Sequence, residues 1–415
     1  MQPQTKPEPS RAAGVFRQPA YLRWVAVCIF DLSSALNYLD RQLLAAVAPT
    51  LKVEFHLNNA QYGQILSVFS TVYALVAPFA GWFVDWAGLT FGTIVAVSVW
   101  SLAGSLTAAT RSFGGLLACR TVLGAAEAAG IPSTGKAHGT YLEPRELAFG
   151  TAFAQIGNSL GLILAPLVVA ALAPLYGWRT VFVLSGALGF VWVPVWWFTS
   201  RHAPARPQAK ATHTAGMREL LRDRRLWGMV VGNALAMTAY TLWTNWTTIY
   251  FVTARHLTQN EANQRFVWIP SVFAIAGGFA GAALAYRWIR RGMDVIAARL
   301  RVCWISAAFL LLTAAVPLMP TPGWAAAAIG LSFFWSVALT ANTYVMPIDV
   351  FGPGRAAFGV GALTLGYGVM QTVTSPILGS VVDRYGFTPV CIGIALLPLI
   401  GMLFLQFALR EPSQP

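Results

Sequence analysis

Two arginines stand in stretches that otherwise read as hydrocarbon. Arg41 lies in an apolar run that begins near Tyr21, and Arg120 in one that begins near Phe113. An ionised group at membrane depth costs about 2.5–3.5 kcal/mol on insertion scales, so a chain keeps one where it faces a cavity and does work. Each has an acid close by. Asp40 adjoins Arg41, and Glu127 follows Arg120 on the same run. A guanidinium holds a carboxylate through a forked, charge-assisted contact. A carboxyl group at the same depth can be loaded and unloaded with a proton during a cycle. Together these residues imply a polytopic carrier whose watery centre binds an organic anion and handles protons.

Spacing refines the roles. In Asn37-Tyr38-Leu39-Asp40-Arg41-Gln42, neighbours diverge by about 100° around a helix, so Asp40 and Arg41 cannot point the same way. Arg41 is expected to take the substrate carboxylate and Asp40 to titrate. The plainer alternative is that both charges meet water at the outer end of the first span. In the second run Arg120, Gly124 and Glu127 share one helical stripe, with Arg120 and Glu127 about 10 Å apart along the axis. Gly124 leaves room for a ligand or for a neighbouring backbone. The alternative here is a buried structural ion pair between helices. Other polar or amphipathic side chains at membrane depth are Tyr73, Gln155, Asn158, Tyr240, Trp243, Asn245, Trp335, Asn342, Gln371 and Thr374. Amides and hydroxyls suit a hydroxylated acid; interhelical hydrogen bonding and interfacial anchoring explain them equally. Asp31 is a second candidate for titration, although solvation at a helix end accounts for it too. The five histidines, His56, His138, His202, His213 and His256, read as exposed, and none has a metal-ligand partner at useful spacing.

The elements that must position these residues follow from hydropathy. The chain has 415 residues, 56% hydrophobic and only 10% charged; a soluble domain carries about 25%. A spanning helix needs roughly 20 apolar residues. Twelve such stretches fall near 21–48, 59–83, 91–111, 113–135, 147–174, 178–199, 226–252, 266–289, 296–317, 323–347, 356–382 and 387–409. The predicted fold is therefore an all-α integral membrane protein, with twelve transmembrane helices in two six-helix halves. The expected division is an N-terminal tail (1–20), a first bundle (21–200), a linker (201–225), a second bundle (226–410) and a short tail (411–415). Internal repetition supports two halves. Ala165-Pro166 precedes Gly177-Trp178-Arg179, and Ser375-Pro376 precedes Gly386-Phe387-Thr388 at similar spacing.

Charge placement gives the orientation. The net charge is +13, but the basic residues cluster where topology wants them. Seven lie within 201–225 and five within 287–301, while the opposite side carries Lys52, Arg111, Arg179, Arg255, Arg265 and Arg384. Positive-inside logic puts both termini in the cytoplasm. The basic balance is topology plus attraction to anionic lipid, and no nucleic-acid partner is expected. No cleavable leader is legible. Cys28, Cys119, Cys303 and Cys391 all fall in apolar runs and read as small buried hydrophobes. No Walker loop, nucleophile–base set or metal set appears, so neither an enzyme nor a cofactor is expected.

The Asn37–Arg41 run and the run 120–132 (Arg-x-x-x-Gly-Ala-Ala-Glu-Ala-Ala-Gly-Ile-Pro) resemble the anion:cation symporter family of the major facilitator superfamily. The stretch 120–189 is most similar to bacterial hexuronate transporters, through Lys136, Glu143-Pro144-Arg145-Glu146 and Gly157-Asn158-Ser159-Leu160-Gly161. The resemblance implies a major facilitator fold in the inner membrane and proton-coupled import of a small organic anion by a monomer. It implies substrate roles for Tyr38, Arg41, Tyr73 and Arg120, and proton roles for Asp40 and Glu127. Galactonate or an aromatic acid is the alternative cargo, and a proton-driven drug efflux antiporter the alternative function. Two loops depart from the superfamily pattern. Gly81–Gly88 keeps Asp85 but has no basic residue before Arg111, and Tyr286-Arg287 stands where an Asp-Arg pair is common. Both departures bear on gating.

Overall fold

The computed structural model describes residues 20–143, 146–204 and 217–409. The expectations for the N-terminal tail, Pro144-Arg145, most of the linker with His213, and the C-terminal tail fall outside these residues. Among the described residues there is helix and no strand. In chain order the first half comprises α1 (Ala20–Glu54), α2 (Asn59–Ala87), α3 (Leu89–Thr107), α4 (Phe113–Glu127), α5 (Gly130–Tyr141), α6 (Leu147–Tyr176) and α7 (Trp178–His202). A short α8 (Met217–Arg222) follows. The second half comprises α9 (Arg224–Ala236), α10 (Thr238–Thr253), α11 (Gln259–Ala262) with a π turn, and α12 (Ile269–Ile289). Then come α13 (Val295–Leu310) with a 3₁₀ extension, α14 (Pro322–Thr343), α15 (Met346–Phe351), α16 (Pro353–Tyr385) and α17 (Phe387–Leu409).

Nine helical stretches among the described residues are long and apolar enough to cross a bilayer. The remaining three expected positions hold helical paths as well. Two of these are broken in mid-course, between α4 and α5 at Ala128-Ala129 and between α9 and α10 at Met237; the third is the continuous α16. Large apolar side chains such as Phe79, Trp82, Phe149 and Phe407 are 66–73% exposed. In water such a belt would be an aggregation liability; in lipid it is the expected outer surface. Of the four cysteines, Cys303 and Cys391 are buried and Cys119 is intermediate, whereas Cys28 is exposed. Its place on an outward face of α1 corrects the expectation of burial.

The two halves repeat each other at their turns. Left-handed backbone occurs at His56 (φ 52°) and His256 (φ 57°), at Gly88 (84°) and Gly292 (87°), and at Gly177 (79°) and Gly386 (72°). Each pair ends the corresponding helix of its half. A residue with a Cβ is strained in this region, and His56 and His256 hold it immediately before matching helix starts. Asn58 and Gln61 form a capping box on α2, and Thr258 and Glu261 form one on α11. Reciprocal caps fix where the return helix begins.

Among the described residues, the close packing between the halves lies toward one end. α2 lies along α16, α1 against α10, and α6 against the π turn and α12. A Cβ on Gly63 would sit 2.2 Å from Ser375 O, and one on Gly379 would sit 2.1 Å from Asn59 O; only glycine lets these backbones touch. Asp383 accepts from Asn59 N (3.0 Å), Asn59 Nδ2 (2.8 Å) and Ala60 N (3.0 Å). Thr50 Oγ1 donates to Gln259 (2.8 Å), and Asn263 Nδ2 to Ala46 O (2.8 Å). The cross-half hydrogen bonds among the described residues join 42–71 to 244–263 and 372–383. The end at Glu54 is therefore sealed, and the end at Arg23, Asp85 and Glu143 is not. At that unsealed end Lys136 reaches from α5 to Asp85 (2.9 Å) and Val84 O (2.9 Å). The basic partner missing from the Gly81–Gly88 loop thus comes from a different helix.

Candidate functional site

α1 and α4 meet across the middle of the first half. Arg41 Nε donates to Glu127 Oε2 at 2.5 Å. Glu127 is fully buried, whereas the Arg41 side chain keeps 26% of its surface accessible. The guanidinium lies over three aromatic rings, 4.7 Å from the Tyr73 centroid, 5.0 Å from Phe69 and 5.4 Å from Tyr38. A cation boxed by ring faces holds its orientation. Phe69 and Tyr73 share a face of α2 one turn apart and stack at 6.0 Å. Glu127 fixes one edge of Arg41 and the rings fix its plane, so its outer edge is presented to the space between the halves.

Arg120 is only 3% exposed, yet its Nε and one terminal nitrogen have no hydrogen-bond partner. Leaving buried donors unpaired is costly, more so on a charged group. Glu127, Tyr62 and Asp40 are within electrostatic range of it. The i, i+7 stripe therefore does bring Arg120 and Glu127 to one region, while the direct bond from Glu127 runs to Arg41. Gly124 serves helix contact: a Cβ there would lie 2.7 Å from Phe69 O. That close approach brings Phe69 under Arg41.

Asp40 points the other way, as its 100° offset requires. It is 3% exposed and accepts from Ser185 Oγ of α7. Gly104 of α3 leaves the space beside it. Asp40 is thus enclosed between α1, α3 and α7, away from the accessible edge of Arg41.

The second half contributes tyrosines. Tyr240, Tyr344 and Tyr367 lie within electrostatic range of Tyr38, and Tyr240 and Tyr367 within range of Arg41. Tyr240 also packs on Phe333 at 5.1 Å. Tyr344 and Tyr367 were not singled out in the sequence; the signal, a tyrosine inside an apolar run, is the one that marked Tyr240. Among the remaining candidates, Asn158 is half-buried with an unpartnered Oδ1, Gln155 is exposed on α6, and Gln371 is half-buried on α16. Trp335 is elsewhere: it stacks on Phe309 at 4.4 Å and 5°, on the α13 side of α14. Trp243 is buried edge-on to Tyr250 at 5.5 Å. Asn245 and Asn342 donate to the carbonyls of their own helices. Thr374 does the same.

His138 departs from the expectation of exposure. It is 5% exposed, and its Nε2 lies 3.0 Å from Asp31 Oδ1, which is equally buried. The helix expected to end near 135 breaks after Glu127 and resumes as α5, which carries His138 into the bundle. His56, His202 and His256 are exposed.

These features define a two-bundle carrier, sealed at one end, with a cation-lined midplane. The family model described as Major Facilitator Superfamily matches residues 30–370, and the chain belongs to that superfamily. It is a membrane transporter, not an enzyme. Within the superfamily its relatives include the hexuronate transporter of Escherichia coli strain K12, 27% identical over 411 residues that cover 94% of each chain. The galacturonate transporter of Dickeya chrysanthemi is 30% identical over 278 residues, 63% of this chain and 80% of that protein. Among solved structures, a bacterial homologue of the human lysosomal transporter Spinster, in an inward-facing and unoccupied conformation, superposes with a TM-score of 0.73. It has 21% identity and covers 93% of this chain and 95% of that one. That likeness bears on the fold.

Proposed function

We propose that this transporter is a proton-coupled symporter of the inner membrane that imports a small organic anion, a hexuronate-type sugar acid, by alternating access. One observation carries the reading. Arg41 is held by Glu127 and three rings with an edge left free, and Arg120, which shares Glu127 as an electrostatic neighbour, has two donors unfilled. A substrate carboxylate supplies what both lack. Charge balance then explains the proton. Arg41 pairs with Glu127, and Arg120 lies within electrostatic range of both Glu127 and Asp40, so the region holds two cations against two carboxylates. Adding one carboxylate alone would leave a net charge in a low-dielectric site, which is expensive. Adding it with one proton leaves the balance unchanged.

Protonation of Glu127 would release Arg41 from its partner, freeing the whole guanidinium for the substrate. Proton loss after release would let the pair re-form and reset the carrier. Tyr240, Tyr344 and Tyr367 would meet the hydroxyls from the other half. With both termini cytoplasmic, the sealed end faces outward and the conformation is inward-facing.

The test is uptake of labelled galacturonate and glucuronate into proteoliposomes, with and without an inward proton gradient. Gradient-stimulated uptake that excess unlabelled hexuronate blocks is expected. Uptake of galactonate alone would move the cargo to another monocarboxylate; a response only to cations would overturn the anion reading.

A further inference from the structure

The ion pair at the midplane is one rung of a longer ladder. Residues 31, 34, 37 and 41 of α1 recur every three or four positions and so line one stripe. Facing them across the helix break are 138, 134, 130 and 127; as one index climbs, the other falls, as antiparallel helices require. Arg41 bonds Glu127. One turn further, Asn37 lies beside Gly130, 3.9 Å from where a Cβ would be, and is within bonding range of Glu127. Asn37 Nδ2 and Glu127 Oε1 are both buried, and neither has a partner that meets full hydrogen-bond geometry. The Asn37 amide thus stands next to the Glu127 carboxylate as the first polar group on the seam. Next, Ser34 Oγ and Thr134 Oγ1 lie 3.4 Å apart. The ladder ends at Asp31 and His138, 3.0 Å apart and buried toward the unsealed end.

We propose that this seam is the proton exit from Glu127, with the Asp31–His138 pair as its last station before the cytoplasm. The proposal rests on the proton coupling argued above. The Glu127 carboxylic acid gives up its proton and returns to Arg41 as a carboxylate. The proton passes along hydroxyls and bridging water at Asn37, Ser34 and Thr134. The His138 imidazole accepts it, the Asp31 carboxylate opposite balances the imidazolium, and water at the open end removes it. Other titratable groups around the pair are accounted for. Cys28 is the neighbour of Asp31 on α1. Lys136 is turned to Asp85, and Arg23 holds Glu143 (3.2 Å) and Glu146 (3.6 Å) at the mouth. Tyr141 packs on Trp196. α3 carries no titratable side chain, and α6 has none before Tyr176. From α6 the His138 ring meets Gly150.

The experiment uses the full-length protein in proteoliposomes with galacturonate as the probe and a pH dye in the lumen. Substrate-linked proton movement is measured beside counterflow, the exchange of labelled for unlabelled galacturonate. His138→Gln and Asp31→Asn are expected to keep counterflow at the wild-type rate. They should slow coupled proton movement about tenfold or more, as loss of a positioned proton carrier does, and flatten its dependence on lumenal pH. A variant with wild-type proton movement and an unchanged pH profile overturns the exit while coupling stands. A wild-type protein that moves galacturonate without protons overturns both proposals. Should His138→Gln not fold, Ser34→Ala with Thr134→Ala removes two hydroxyls and no charge, and the same split between counterflow and proton movement decides.

Discussion

In the first half, α1 carries Asp40 and Arg41 in its middle turns, and α4 carries Arg120 at mid-length and Glu127 at its end. In the second half, the corresponding paths α9–α10 and α14 carry Tyr240, Thr241, Trp335 and Ser336 there, with no ionisable side chain other than tyrosine between Leu226 and Thr253 or between Pro322 and Thr343. The turns that join the helices repeat in the paired left-handed residues at 56 and 256 and at 177 and 386. A duplicated scaffold has thus kept its joints and divided its chemistry. Charge recognition and proton handling both need ions in low dielectric, and such ions are tolerable where they neutralise one another. Concentrating all four in one half lets their charges offset one another locally. On the proposed reading, the other half is left free to present neutral hydrogen-bonding groups that would select among substrates of equal charge.

The comparison breaks most visibly at Arg120. Its two unpartnered donors make it the group whose energy most depends on a bound anion. Arg120→Ala is expected to abolish binding of galacturonate and glucuronate, measured by thermal shift or calorimetry on the purified protein; truncating one side of a buried, hydrogen-bonded charge pair costs about 2–5 kcal/mol. Retained binding in a folded variant would mean that the first half does not read the carboxylate. Glu127→Gln probes the other duty of the same half. The amide stands in for the protonated acid and cannot ionise, so exchange of substrate for substrate should persist while accumulation against a gradient is lost. Uphill uptake by that variant would take Glu127 out of coupling.

What the sequence made legible divides along the same line. The helices were readable because twenty-residue apolar runs have no other stable form in lipid, and observed ends such as Asn59, Phe113, Trp178 and Phe387 fall on the expected boundaries. The charged residues were readable because charge at depth is rare. Their pairing was not. Nothing local states that Glu127 turns to Arg41, 86 positions away, in preference to Arg120 on its own stripe. That choice is made where α2 and α4 touch at Gly124. Which of Asp40 and Arg41 faces inward also depends on the rotation of α1, set by contacts at Gly157 and Gly161 of α6. His138 was misread because a break at Ala128-Ala129 lengthens the fourth helical path beyond its apolar stretch. Trp335 was drawn in by amphipathicity alone, and a tryptophan at membrane depth has an aromatic neighbour to stack on as readily as a sugar.

The second half admits a finer test. Tyr367 sits on α16, the helix that lies along α2, and is within range of both Arg41 and Tyr38. Tyr367→Phe removes one hydroxyl and preserves the ring, so packing should hold. If this half reads hydroxyls, the KM for galacturonate should rise by roughly fivefold, the value of about 1 kcal/mol for a neutral hydrogen bond, with kcat nearly unchanged because the interaction is uniform between ground and transition states. The informative control is a short monocarboxylate without hydroxyls, tested as a competitor of labelled galacturonate. Its inhibition constant should be the same in wild type and Tyr367→Phe, since the arginines that hold its carboxylate are untouched. An equal loss for both acids would mean that Tyr367 acts by shaping the Arg41 box, and the division between a charged half and a neutral half would then be one of placement without being one of function.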